Sequence, residues 1–145
     1  MILMESKTVY RVALCSAIIA VALHPPLVAA ENFRSDSKSF GNTKMDIVMT
    51  ETERRARTSI VDIQITTIGS SVGSSFFLLC SLGNLARQRG HYRYIVKLED
   101  YPHRNQMLVG FLTRSDEPPE QLDSRLAGQP TIDLEYFAPI CDRMR

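Results

Sequence analysis

The first thirty residues constrain what this chain can fold into more than any other segment. Lys7 and Arg11 give the segment a basic start, and an uninterrupted, mostly apolar run covers residues 12–23. Two prolines end the run, and small residues up to Ala30 follow, as they do at signal-peptidase sites. The sequence therefore predicts an exported precursor that is cleaved after Ala30, so that residues 1–30 take no part in the mature fold.

A permanent membrane anchor is the alternative for this segment. Twelve residues span only about 18 Å as a helix, whereas the hydrocarbon core of a bilayer is about 30 Å thick. A cleaved signal is therefore favoured, and membrane contact is expected only through the N-terminal segment if it stays uncleaved. Cys15 has no apolar stretch in front of it, so we interpret it as part of the discarded peptide and not as a lipidation site.

Cleavage would leave a neutral chain of one domain's length. The full sequence has 145 residues, with 17 Lys plus Arg and 16 Asp plus Glu. Removal of residues 1–30 takes away two basic residues and one acidic residue, which leaves 15 of each and zero net charge in about 115 residues. Because no net charge steers the chain toward phosphates, no nucleic-acid partner is predicted. The hydrophobic content of 44% excludes disorder over the whole length.

Two cysteines remain in the mature chain, Cys80 and Cys141. An even number of cysteines in an exported protein indicates a possible disulfide. The alternative is a pair of free thiols, because Cys80 lies in an apolar helical run and can be a core residue. The sequence leaves both possibilities open.

The first half of the mature chain predicts two strands. Residues 31–43 are polar and rich in serine without any period, which is typical of a flexible lead-in. A short apolar patch at residues 45–49 predicts a first strand, and the charged residues 51–57 predict a solvated turn or strand end. Residues 58–68 alternate between apolar and polar side chains, which indicates a half-buried strand.

A helix follows this strand. Residues 69–75 break the strand, and we expect Ser74 or Ser75 to cap the first turn of the helix. Leucines at helical spacing predict that the helix continues to about Arg89, with Gly90 as its C-terminal cap.

The second half of the chain predicts a hairpin and a tail. Residues 91–99 and 107–113 predict two strands, and the six residues between them favour an antiparallel connection. Residues 115–130 are polar and rich in proline, so we expect them to leave the core. Residues 132–137 predict a short last strand, after which Cys141 can tie the tail back to the helix.

The order strand, strand, helix, strand, strand predicts an α+β fold. We expect an antiparallel sheet of about four strands with one helix packed on one face. The α+β core domain would cover residues 44–114, and a polar, proline-rich tail would cover residues 115–145.

Residues 85–96 read Leu-Ala-Arg-Gln-Arg-Gly-His-Tyr-Arg-Tyr-Ile-Val. Over about residues 47–98 the chain resembles a group of small bacterial envelope proteins, many of them lipid-anchored, that have no assigned activity. In that group the helix ends in an Ala-x-x-x-Gly-like stretch and continues into a Tyr-x-Tyr-Phe-like strand. This sequence departs from the pattern by the additional His91 and by the absence of a lipidation cysteine. The resemblance implies an envelope location and carries over no catalytic residue.

Binding motifs for phosphate and metals are weak in this sequence. Residues 69–75 (Gly-Ser-Ser-Val-Gly-Ser-Ser) lie between a strand and a helix, as phosphate loops do, but no lysine follows to reach the phosphates. Asp100 and His103 can supply two metal ligands from one turn, and Cys141-Asp142 is the only other cluster. We expect a capped strand–helix junction and a solvated turn, with no cofactor and no metal.

Catalytic constellations are equally weak. Ser70, His103 and Asp100 are the only residues of triad type that merit testing, and serines near Ser70 are better explained as helix caps. Tyr92, Tyr94 and Tyr101 with nearby arginines form an aromatic and basic cluster of the kind that stacks on nucleic acid or sugar. We favour core packing, because Tyr92 and Tyr94 are expected to share the face of the following apolar residues.

The sequence thus predicts a small, exported, non-enzymatic protein of the bacterial envelope or periplasm that acts by binding or structural interaction with an envelope protein or ligand. An exported hydrolase of unfamiliar type and a protein anchored by an uncleaved N-terminal segment are the alternatives.

Overall fold

The computed structural model describes residues 32–144. This part of the chain contains six strands, which form one antiparallel sheet, and two α-helices. The predicted signal segment, the cleavage site at Ala30 and Cys15 lie outside these residues. The strands are β1 (Arg34–Asp36), β2 (Asp46–Arg54), β3 (Thr58–Thr67), β4 (Tyr94–Glu99), β5 (Gln106–Leu112) and β6 (Ile132–Asp133). The helices are α1 (Ser71–Gly90) and α2 (Leu134–Arg143).

The strands form one sheet in the order β1-β2-β3-β5-β4-β6. Two hairpins, β2–β3 and β4–β5, meet where β5 pairs with β3, and α1 connects the hairpins along the chain. The α+β class and the antiparallel sheet are confirmed. The expected four strands and one helix are too few, because β1, β6 and α2 lie in segments for which the sequence indicated a lead-in or a tail.

The segment expected to be a flexible lead-in contains β1 and a 3-10 turn at Ser37–Phe40. β1 pairs with β2, and the Ser35 and Ser81 hydroxyls are hydrogen-bonded at 2.8 Å. The buried Ser37 hydroxyl donates to the Met45 carbonyl and accepts from the Ile47 N–H. Tertiary hydrogen bonds hold these few residues, which is why no local period indicated them.

One face of the sheet packs against α1. The core between them contains buried apolar residues from both sides, among them Phe77, Leu82, Leu85 and Ala86 of the helix and Ile47, Met49, Val61, Ile95 and Phe111 of the sheet. The alternation of β3 and the helical spacing of the leucines predict part of this core, including Val61, Leu82 and Leu85.

The opposite face of the sheet is also covered. Val96, Leu108 and Leu112 are buried there against Leu126, which is 0% exposed and belongs to a 3-10 turn at Ser124–Leu126. The prediction that residues 115–130 leave the core is therefore wrong. A nearly continuous apolar strand such as β5 needs cover on both faces, and the tail supplies it.

The ends of α1 differ from the expectation. Ser70, not Ser74 or Ser75, is the N-cap, and its hydroxyl accepts from the Gly73 N–H at 3.0 Å. Ser74 and Ser75 lie within the first turns and donate to the Ser71 carbonyl. At the other end His91, and not Gly90, is the C-cap, in the left-handed conformation with φ 58°.

The expected last strand at residues 132–137 is correct only for Ile132–Asp133. The Asp133 carboxylate accepts from the Glu135 N–H at 3.1 Å, so it caps α2, which begins at the next residue. Among residues 32–144, no helix is both long and apolar enough to cross a membrane.

Candidate functional site

A disulfide joins α1 to α2. Cys80 of α1 and Cys141 of α2 are bonded, with their Cα atoms 5.4 Å apart. The disulfide is therefore confirmed over the alternative of free thiols. It closes a segment of 61 residues and fixes α2 beside α1.

A groove of about 380 Å³ lies between α1 and α2 and the start of β4. Its apolar wall is formed by Leu79, Leu134, Phe137, Ala138 and the disulfide. Gly83 lines the groove on the α1 side, where a Cβ would have only the Leu134 side chain within 4 Å. We call this cavity the α1–α2 groove.

Basic side chains of the α1–α2 groove gather at the end of α1. Arg87, His91 and Arg93 line the groove there. Arg93 forms ion pairs with Asp133 at 2.8 Å and with Glu135 at 2.7 Å, and the hydrogen bond to Asp133 raises its pKa above the ordinary arginine value. Arg87, in contrast, donates at 2.9 Å to the neutral side-chain oxygen of Asn84.

The aromatic and basic cluster of the sequence is divided between the two faces of the sheet. Tyr92 packs in the α1-side core and contacts the Phe111 ring at a centroid distance of 5.4 Å. Tyr94 and Tyr101 pack on the opposite face. The expectation that Tyr92 and Tyr94 share one face is therefore wrong, because Tyr92 precedes β4 and follows the left-handed His91.

The most buried charged group of the described chain is Glu51 in β2, which is 0% exposed. Arg54 donates to its carboxylate at 2.5 Å, the Ser59 hydroxyl at 2.6 Å and Arg89 at 3.3 Å. Burial acts to raise the pKa of Glu51, but the hydrogen bonds from Arg54, Ser59 and the Phe33 N–H outweigh it and hold the pKa below its ordinary value.

Arg89 extends this network into the β2–β3 turn. Its guanidinium donates to the carbonyls of Arg55, Ala56 and Thr58 and lies 5.0 Å above the centre of the Phe111 ring. The network therefore ties the end of α1 to the turn. We interpret this network as structural, because the guanidinium of Arg89 donates its hydrogen bonds to acceptors of the protein itself.

A second ion pair ties the tail to the β2–β3 turn. Arg57 donates to Glu117 at 2.5 Å and to the Phe111 carbonyl at 2.8 Å, while Thr113 donates to Glu117 through its N–H and hydroxyl. The hydrogen bond from Arg57 is the main reason that the pKa of Glu117 is lowered to about 2.

Each residue of the hypothetical triad makes local contacts. Ser70 caps α1, Asp100 accepts from the Asn105 N–H at 3.0 Å within the β4–β5 turn, and the His103 carbonyl accepts from the Gln106 N–H. Asp100 and His103 therefore share a turn that Ser70 does not belong to. Within the described residues, no group of three or more His, Cys, Asp or Glu side chains could hold a metal ion.

The sequence does not predict the α1–α2 groove, because its pattern indicates a short strand and a tail where α2 lies. The available signals were Asp133 as a helix cap and the spacing of Leu134, Phe137, Ala138 and Cys141, which places one side of a helix toward α1. Comparison of this chain with protein-family models, with curated proteins and with solved structures found no match in any of the three.

Proposed function

We propose that the protein is a small, exported, non-enzymatic component of the bacterial envelope or periplasm, and that it acts by binding a partner or ligand in the α1–α2 groove. The observation that carries the proposal is the Cys80–Cys141 disulfide beside this groove. Structural disulfides persist in oxidising compartments, and the N-terminal thirty residues have the pattern of an export signal.

The use of the charged groups supports binding over catalysis. Two ion pairs stabilise the fold by joining distant segments. Arg89 at the end of α1 pairs with Glu51 of β2, and Arg57 in the β2–β3 turn pairs with Glu117 of the tail. The groove itself has an apolar wall with a few polar side chains, which is the usual composition of a ligand site. The resemblance of residues 47–98 to small envelope proteins agrees with this location.

Export is tested by expressing the full chain in a bacterial host and measuring the mass of the purified protein. We expect a chain that begins at Glu31 and is lighter by the two hydrogens lost in the disulfide. A matched variant without residues 2–30 should stay in the cytoplasm with both thiols free. A full-length mass in the membrane fraction would instead support the anchored alternative, and a cytoplasmic full chain would refute export.

Binding is tested by cross-linking the exported protein in the envelope fraction. We expect the wild-type protein to cross-link to partners or ligands. The Ala138→Trp variant, in which the indole fills the groove, should lose these cross-links, and Arg143→Gln, which changes a residue outside the groove, should keep them. If both variants capture the same molecules as the wild type, the groove is not the binding surface.

A further inference from the structure

We infer that the α1–α2 groove takes a single-chain anionic amphiphile, with its apolar chain along Phe137 and its anionic group at Arg87. This inference rests on the proposed binding role and names the class of ligand. Three features of the groove carry it: an apolar wall, a cation at one end that has no ion pair with an acidic side chain within residues 32–144, and a volume that suits one chain.

The wall of the groove fits an extended apolar chain. Leu79 and Gly83 of α1 face Leu134, Phe137 and Ala138 of α2 across the cavity. Leu79, Leu134 and Phe137 are each only half-buried, so apolar surface is available within the groove. Covering this surface with a hydrocarbon chain is favourable, because it removes apolar surface from water.

The charges of the groove are unequal at its two ends. Asp142 adjoins the disulfide, whereas Arg87 and Arg93, together with Glu135, line the part of the groove next to Leu134. Arg93 is already engaged in ion pairs with both Asp133 and Glu135. The charge of Arg87 faces the neutral Asn84, so Arg87 is the groove cation available to an anion.

The volume of the groove indicates the size of ligand that fits it. A volume of about 380 Å³ lies near the lower end of the range for small-molecule sites, about 300–1,000 Å³. One chain of roughly a dozen carbons suits this space better than a lipid with two chains.

The test uses dodecanoate below its critical micelle concentration, with the protein as the exporting host processes it. Isothermal titration calorimetry should show binding of dodecanoate, and weaker binding of dodecanol and of dodecyltrimethylammonium, which share its chain length but lack the anionic group. Arg87→Gln should weaken dodecanoate binding about tenfold and leave dodecanol binding unchanged, since only the charged hydrogen bond is lost.

Two further variants complete the experiment. Ala138→Trp should abolish binding of all three probes, because the indole occupies the groove, and Arg143→Gln should bind dodecanoate as the wild type does. Thermal unfolding of each variant reports whether the fold is retained. No binding of dodecanoate, equal binding of the anionic and cationic probes, or wild-type binding by Ala138→Trp would each overturn the inference. Export and capture of an envelope partner are measured separately, so the proposed function can survive such a result.

Discussion

Buried Glu51 shows how one residue can hold together parts of the chain that are distant in sequence. Its carboxylate accepts from Arg54 in the same strand, from Ser59 across the hairpin and from Arg89 at the end of α1. In the sequence it belongs to a run of charged residues that predicts a solvated turn or strand end. β2 does end in this run, at Arg54, but Glu51 is turned inward and not toward solvent, beside an Arg89 side chain that is only 5% exposed.

Glu51→Gln should destabilise the protein by about 3 kcal/mol, because it leaves the buried Arg89 without its counter-charge. Chemical denaturation measures the free energy of unfolding. Glu53→Gln is the matched control, since Glu53 is exposed and pairs only with Arg55 at the surface, and a loss below about 1 kcal/mol is expected there. Equal losses for the two variants would contradict the structural role of Glu51.

Gly110 lies where the tail packs closely on the sheet. A Cβ at this position would lie 2.7 Å from Leu126 Cδ1 and 3.0 Å from Val96 Cγ2. We expect Gly110→Ala to cost about 1–3 kcal/mol, because Leu126 must shift in a packed cluster. Gly83→Ala should be neutral or stabilising, since Gly83 is helical and has room for a Cβ. Wild-type stability of Gly110→Ala would show that the tail yields without cost.

Among the elements, α2 depends most on a covalent link. It is ten residues long, contains Pro139 and has no buried residue, so its own packing is limited. The disulfide from Cys141 to Cys80 compensates by restricting the unfolded chain. This element also forms one wall of the α1–α2 groove, so the link supports the site as well as the fold.

Replacing both cysteines by serine should lower the free energy of unfolding by about 4 kcal/mol, from the entropy of closing a loop of 61 residues. Wild-type protein under reducing conditions should match the double variant. Hydrogen exchange should then show loss of protection in α2 and retention in β3 and β5. A change below about 1 kcal/mol would show that packing alone holds the helix.

The ion pair between the β2–β3 turn and the tail predicts a dependence on acid. The pKa of Glu117 is about 2 in the folded protein, below its ordinary value of 4.5, so its contribution is complete above pH 4.5 and is lost as the pH falls toward 2. We expect Glu117→Gln to reduce the loss of stability over this window in denaturation experiments. Glu120→Gln, which changes an exposed carboxylate nearby, should follow the wild-type curve.

At the scale of the whole molecule, the sheet is covered on both faces by different parts of the chain. α1 covers one face, and the segment around Leu122 and Leu126 covers the other. The core expected at residues 44–114 is therefore incomplete without the tail, because Val96, Leu108 and Leu112 would be exposed.

Shortening the chain tests this conclusion. A chain that ends at Arg114 should lose cooperative unfolding and bind a dye specific for exposed apolar surface, because one face of the sheet is uncovered. A chain that ends at Pro130 keeps Leu122 and Leu126, and it should still unfold cooperatively although it lacks α2. Cooperative unfolding of the shorter chain would contradict the two-sided core.

The sequence by itself determined the elements that local patterns specify. Alternation placed β3 over residues 58–68, one residue beyond its end, and the helical spacing of leucines placed the end of α1 within one residue of Gly90, although the C-cap is His91. These signals are local, because the period and the caps depend on residues within one or two turns. The pairing of Cys80 with Cys141 was one of two possibilities that the sequence left open.

Only the tertiary structure decided what covers each face and which side chains meet. β1 and β6 are three and two residues long, so strand pairing defines them and no period can reveal them. A periodic pattern shows that a face is apolar, but it does not identify the distant segment that buries it. For the same reason the burial of Glu51, the cover by Leu126 and the groove between α1 and α2 depend on contacts between residues far apart in the chain.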